Sequence, residues 1–381
     1  MHSSPYGPAG GDLQGTFPNP TVKADGASLV LAQRALAPHP AAPAAASSSS
    51  SSGLTNFTES VNTAAPNASQ PAARLIATNA AANVDAVFAP KGNGAILAQT
   101  PDNTATGGNK RGTNSVDFQT NRTVAASVAS GGYSFTIGYD NTASGQLSFA
   151  GGFGCASTNT VSFSYGSSCV SSGSNSAAFN NSTTASGINA FAGGSISTAS
   201  GTTSYAWGDS STADAAASHA RGNYSQARGI IGVDAWANGR NSTNGDVQLR
   251  RFILWGNTTN ATTTTLTTNK LAANTNNQLV LNDVGFNQRT FAIHGIVVAK
   301  KGGTSDAAMW EIKALAYWDT SVVNIVGTPT VTQLFSTGAT ATAWVIAVNV
   351  DATNVALRVQ VTGGVSQDVR WNANVQSTEV F

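Results

Sequence analysis

From Gly132 to Gly229 the chain repeats every fourteen residues, seven times over, with nothing inserted between blocks. The blocks begin at Gly132, Gln146, Thr160, Ser174, Ile188, Thr202 and Ala216. A short fixed period means one coil of backbone stacked on its own copies, so the repeat sets the architecture before any other feature is weighed.

Inside a block, the third place is Ser134, Ser148, Ser162, Ser176, Ala190, Ser204 or Ser218. The fourth is Phe135, Phe149, Phe163, Ala177, Phe191, Tyr205 or His219. The fifth is small, from Thr136 and Ala150 to Ala220. The sixth varies, with Ile137, Tyr165, Phe179 and Trp207 but also Gly151, Gly193 and Arg221, and the seventh is Gly except at Asn180. Strand side chains alternate, so places four and six share one face and places three, five and seven the other. The bulky face is expected to fill the roll, with Phe135, Phe149, Phe163, Phe179, Phe191, Tyr205 and Trp207 as its core. Gly151 and Gly193 then leave inner places empty, and His219 is a coil-filling ring. Glycine at place seven, and usually at fourteen, suits reversals with positive φ.

Each coil reads as two short strands and two tight turns. Stacking at ~4.8 Å gives a rod of roughly 30 Å. So thin a roll is a poor core for one chain. Small faces of several chains are expected to meet, and threefold closure is natural for a fibre.

The stretches Ser134-Phe135-Thr136-Ile137-Gly138, Ser148-Phe149-Ala150-Gly151-Gly152 and Ser204-Tyr205-Ala206-Trp207-Gly208 carry a resemblance. With the Ala-Ser-Gly that closes several blocks, they resemble the head repeat of trimeric autotransporter adhesins, the YadA-like left-handed parallel β-roll. The match covers about a quarter of the chain. It implies a homotrimer.

Charged residues make up 10% of the chain and the net charge is +1, which gives no reason to expect nucleic acid or an anionic membrane as partner. No run of ~20 apolar residues is present, so membrane insertion as a helix is not expected. Met1 to Gly11 has no basic n-region and no apolar segment. The expectation is synthesis in a host cytoplasm and assembly into a virion, not secretion. The two cysteines, Cys155 and Cys169, share one place in consecutive coils. They stack near disulfide reach, and the cytosolic reading leaves them reduced.

The segment Gly11-Asp12-Leu13-Gln14-Gly15-Thr16-Phe17-Pro18-Asn19-Pro20-Thr21-Val22 resembles the Gly-Asp-Leu-x-Gly-x-Tyr/Phe-Pro-Asn-Pro-x-Val motif of bacteriophage tail-fibre proteins. That resemblance implies virion attachment through Gly11, Asp12, Leu13, Gly15, Phe17, Pro18, Asn19 and Pro20; the alternative is a plain Pro/Gly turn. Ala27 to Ala37 is patterned for a short helix, which completes an N-terminal segment at 1–37. An Ala/Pro/Ser linker follows at 38–53. Residues 54–131 read as a β-rich shaft or adaptor, with strands at Val84–Phe88 and Ala95–Ala98 around a Lys91–Gly94 turn. The roll occupies 132–237 and a loop 238–245.

Residues 246–381 carry eight strand-like runs: Arg251–Trp255, Gln278–Leu281, Phe291–Ala299, Ala307–Trp318, Val322–Val326, Trp344–Val350, Ala356–Val361 and Val369–Val375. Turn signals separate them, among them Lys301-Gly302-Gly303, Gly327, Gly338 and Gly363-Gly364. Such a pattern points to a β-sandwich or jelly roll. The segments Trp255–Thr262 and Val355–Gly363 resemble C-terminal modules of phage tail-fibre proteins. The expected fold is therefore all-β: a trimeric fibre with a left-handed parallel β-roll of 14-residue coils, followed by a jelly-roll-like sandwich tip.

Chemistry is sparse. Neither the spacing of His2, His39, His219 and His294 nor any other cluster forms a metal-ligand pattern, and no cofactor is expected. His294 reads as a hydrogen-bonded core or interface histidine. Asp306, Glu311, Asp319, Asp351, Asp368 and Glu379 are not paired by spacing as a glycan-cleaving site would need. Nucleophile and phosphate motifs are missing too. Binding remains. Aromatic rings stack on sugars, and Trp310, Tyr317, Trp318, Trp344 and Trp371 are the candidates; their alternative role is to fill the core. The resemblances imply a non-catalytic bacteriophage tail fibre that anchors to tail or baseplate proteins and meets a host surface glycan or protein. The rival readings are a structural head fibre or collar appendage, and a tailspike with a polysaccharide-cleaving or self-cleaving C-terminal domain.

Overall fold

The computed structural model describes residues 13–14, 21–22, 57–62, 72–77, 81, 83–85, 87–281, 289–319 and 322–380. The chain divides into two units, Met1–Val87 and Phe88–Phe381. In the first, Leu13–Gln14 pairs antiparallel with Thr21–Val22, and Phe57–Asn62 with Ala72–Ala77. Of the attachment motif, Gly11, Asp12, Gly15, Phe17, Pro18, Asn19 and Pro20 lie outside the described residues, as do the 27–37 helix and the 38–53 linker.

The second unit is built on a parallel β-solenoid. Seven five-residue strands, from Phe135–Tyr139 to His219–Asn223, stack in register, so that Phe135 opposes Phe149, then Phe163, and so on. Six two-residue strands, from Thr142–Ala143 to Thr212–Ala213, form the opposite sheet. The stack extends past the repeat at both ends. Ile96–Leu97 pairs with Val116–Phe118, which pairs with Phe135–Ile137, in turns wider than the repeat. Asp234–Asn238 continues beyond His219–Asn223, one residue late. The Lys91–Gly94 turn forms, with Gly94 N–H donating to the Lys91 carbonyl at 3.2 Å. Val84, Val87 and Phe88 are exposed and unpaired instead of forming a strand.

The faces are reversed from expectation. The small side chains point inward: Ala150, Ala178, Ala192, Ala206 and Ala220 are fully buried, and so are Ala143, Ala185, Ala199 and Ala213 on the short strands. The bulky side points out. Phe135, Phe149, Phe163, Phe179 and Phe191 are half-buried, while Tyr205 and Trp207 are 38% and 42% exposed. These seven are not the core. Two sheets joined by tight turns every fourteen residues lie too close to admit a ring, so only Ala, Ser, Thr or Cys fits between them. The aromatics instead form an outer ladder, with ring centroids 5.2 Å apart at Phe135–Phe149 and 4.6 Å at Phe149–Phe163. Where Ala177 leaves a gap, Phe179 leans into it from place six. Gly151 and Gly193 are overlain, not empty: a Cβ on Gly193 would sit 2.2 Å from Trp207. His219 is outward too, edge-on to Tyr205 at 5.9 Å.

The inner serines make the turns. At place three, Ser134, Ser148, Ser162, Ser176 and Ser218 each donate their hydroxyl to the carbonyl three residues back, at 2.6–2.7 Å. Cys155 and Cys169 are buried free thiols in adjacent coils. Positive φ falls at places two, seven and nine, and at fourteen only in the last block, at Gly229 (φ 67). Glycine at fourteen answers a close approach instead: a Cβ on Gly187 would lie 1.9 Å from the Gly201 carbonyl oxygen.

A buried ionic plug closes the first end. Asp117 accepts from Arg111 Nε at 2.6 Å, lies 3.6 Å from Arg122, and takes the Thr136 hydroxyl at 2.8 Å. At the other end the parallel sheet turns antiparallel. Gln248–Thr258 pairs with Asp234–Trp236, and the sheet runs on through Val369–Val380, Arg289–Lys301, Ala307–Asp319 and Val322–Thr337. Glu379 joins the halves, ion-paired to Arg228 of the last repeat block at 2.9 Å and to Arg250. A second antiparallel sheet holds Thr263–Thr265, Leu279–Val280, Val345–Asp351 and Ala356–Thr362. Side chains of both sheets share one core around Phe252, Phe291, Ile312, Leu357 and Val375. The Gly327 turn signal does not end its strand. Val322–Thr337 continues through Gly327 and Pro329 because it is an edge, where a missing N–H is tolerated.

Candidate functional site

Gln248–Thr258 alternates strictly, with Phe252 and Leu254 inward and Arg251, Ile253 and Trp255 outward. Only Asp234–Trp236 of the solenoid pairs with it, over Leu249 to Arg251, so the Trp255 end runs past the roll. Trp255 is a large ring left 41% exposed. It is nonetheless held: its indole N–H donates to the Thr268 carbonyl at 3.1 Å, and its backbone N–H to Thr267 at 2.9 Å. Lys270 Nζ lies 5.4 Å from the ring centre, within cation–π range.

Two adjoining clefts share Trp255, Gly256, Asn257 and Lys270. One, of about 350 Å³, is completed by Thr264, Thr265 and the Leu271–Ala273 loop. The other, of about 490 Å³, is completed by Asp368, Arg370, Trp371 and Asn372. The cross-strand register builds this wall, since Trp255 opposes Asn372 and Asn257 opposes Arg370. A rigid indole flanked by amides and cations can stack a flat apolar ligand face and hydrogen-bond its edge.

The aromatics singled out from sequence fall elsewhere. Trp310, Trp318, Trp344 and Trp371 are 2–5% exposed and belong to the core. Trp371 packs against both Trp310 and Trp344, each at 5.8 Å, and donates its indole N–H to Thr258. Tyr317 is 38% exposed and lines a separate groove with Thr290, Leu315, Asp319 and Val326. Trp255 was missed as a ligand candidate although it sits in an expected strand. Its outward parity, opposite to Phe252 and Leu254, was the available signal. His294 is exposed and bonded to Glu311 at 3.0 Å, not buried. Lys313 meets the other oxygen of Glu311 at 2.9 Å, and this contact, with the His294 bond, holds the Glu311 carboxyl below its usual range.

No protein-family model and no curated protein matches the chain. Among solved structures it is similar to the tailspike protein of Acinetobacter phage vB_ApiP_P1, at 10% identity and a TM-score of 0.22, over 72% of this chain and 59% of that one. It is also similar to the tailspike protein of Acinetobacter baumannii phage AM24, at 10% identity and a TM-score of 0.20, over 64% of this chain and 50% of that one. The chain thus spans less than two thirds of the length of either protein.

Proposed function

We propose that this chain is a receptor-binding fibre of a bacteriophage tail. The carrying observation is the Trp255 wall, an exposed ring anchored by its own N–H on a sheet continuous with a solenoid rod. The resemblance of 11–22 to fibre attachment motifs supports an N-terminus bound to the tail or baseplate, and the resemblance of the repeat to YadA-like rolls supports a left-handed winding. The C-terminal sheets then act as a sandwich tip that meets a host surface glycan or protein. Weak sites on several copies would add through avidity.

The fibre is a homotrimer in this reading. Its support is the outer face of the roll, where Ile137, Leu147, Phe153, Tyr165 and Trp207 are each more than 40% exposed while the inside holds only small groups. Sister chains would cover the ladder, not the small face.

Binding fits the clefts better than hydrolysis. Among the described residues Asp368 is the one acid lining them, and glycoside cleavage uses two carboxylates. The test is adsorption of the purified full chain to the bacterium on which the particle grows. Saturable adsorption that blocks infection is expected; a chain that does not adsorb would refute the reading.

A further inference from the structure

The rim of the Trp255 wall is basic in an arrangement that the fold itself does not explain. Asn257, Arg370 and Lys300 are register partners on three neighbouring strands. Arg370 and Lys300 are both exposed and directly opposite one another. Like charges so placed repel. Neither cation, nor Lys270, is ion-paired with a carboxylate among the described residues. Asp368, in the same cleft, leaves the rim net positive. Such a set is satisfied by an anion from outside the chain.

The neighbouring groups narrow that anion. The Trp255 ring offers a flat apolar face, and the Asn257 and Asn372 amides offer donors and acceptors for hydroxyls. An isolated inorganic ion would leave the indole unused. A neutral sugar would leave the cations unused. We infer that this wall binds an acidic saccharide, a pyranose ring stacked on Trp255 with a carboxylate or phosphate directed at Lys270, Arg370 and Lys300. The inference rests on the reading of the C-terminal region as the host-binding tip.

Calorimetric titration of the full chain tests it with three probes: trigalacturonate, a mannose-6-phosphate oligosaccharide and neutral galactotriose. At least one acidic probe should bind tenfold or more tighter than galactotriose, and its affinity should fall as salt rises. The better of the two identifies carboxylate or phosphate as the charge. Trp255→Ala should weaken acidic binding at least tenfold. Lys300→Gln with Arg370→Gln should remove the preference for the acidic probe over galactotriose. These are exposed positions, and an unaltered circular dichroism spectrum checks the fold. Equal affinity for galactotriose, no binding of either acidic probe, or unchanged acidic binding by Trp255→Ala overturns the inference. Cell adsorption separates the two failures: a chain that adsorbs equally well as Trp255→Ala and as the double variant sinks the acidic-saccharide site alone, whereas a wild-type chain that does not adsorb sinks the receptor reading.

Discussion

Replacing Asn180 with glycine should stabilise the roll. At the other six blocks the seventh place is glycine, and from Gly138 to Gly222 a Cβ would meet the carbonyl oxygen one coil on at 1.8–2.2 Å. Asn180 carries that Cβ, at φ 81. The ladder opens around it. Ala177, Ala178 and Asn181 pair with the following strand, but Phe179 and Asn180 have no register partner there. The next two coils pair at all five positions. Two rungs regained are worth about 1 kcal/mol each. Glycine's extra freedom in the unfolded chain takes back about 0.7 kcal/mol. The net gain is about 1–1.5 kcal/mol, and the unit Phe88–Phe381, if it melts cooperatively, should then melt about 2 °C higher. Calorimetry or denaturant titration on the full chain reads it directly. Asn180→Ala keeps the Cβ and should show no such gain. An unchanged or lower midpoint for Asn180→Gly, or an equal gain for Asn180→Ala, would refute the claim that this Cβ holds the rungs apart.

Other outcomes follow from the same geometry. Asp117→Asn leaves Arg111 and Arg122 buried without their carboxylate and should cost about 3–5 kcal/mol in denaturant titration. Val161→Asn should stabilise by about 0.5–1 kcal/mol, because Val161 is β-branched at φ 55 where neighbouring coils place Asn175 and Asn189. Burial opposes ionisation of Asp246, but the backbone N–H groups of Ser242, Thr243 and Asn241 outweigh it and hold the carboxyl below its usual range. Its folded pKa is depressed, so its stabilisation is complete above about pH 4 and fades as pH falls through the folded value. Asp246→Asn should therefore flatten the acid limb of a stability–pH curve, and an unchanged limb would count against the loop cap.

The repeat made the coil length, the strand positions and the stacking register legible, because parity and period follow from backbone geometry alone. Parity does not say which face is inside. That depends on the gap between two sheets, which tight turns at either end fix and no single residue declares. The Ser134 to Ser218 column held the clue, since a hydroxyl that must reach the carbonyl three residues back has to lie within the turn. Turn glycines misled for a related reason. Places two and nine adopt positive φ with Leu147, Val161 and Ile196, while the place-fourteen glycines Gly145, Gly173, Gly187 and Gly201 serve close backbone approach. In the C-terminal region the strands were legible and the exposed wall around Trp255 was not. Trp310, Trp344 and Trp371 read as candidates by residue type, and the cross-strand register of Trp255, Arg370 and Lys300 exists only once the strands have paired.

A sheet that stacks on its own copies is open-ended in principle, since each terminal strand offers the next one a template. Among the described residues the first terminus narrows to Ile96–Leu97, two residues backed by a sealed guanidinium–carboxylate knot. The last reverses direction, and its outermost strand carries Gly327 and Pro329. Axial polymerisation thus meets a mismatch at either terminus, and the length of the rod is written into the chain, not left to concentration.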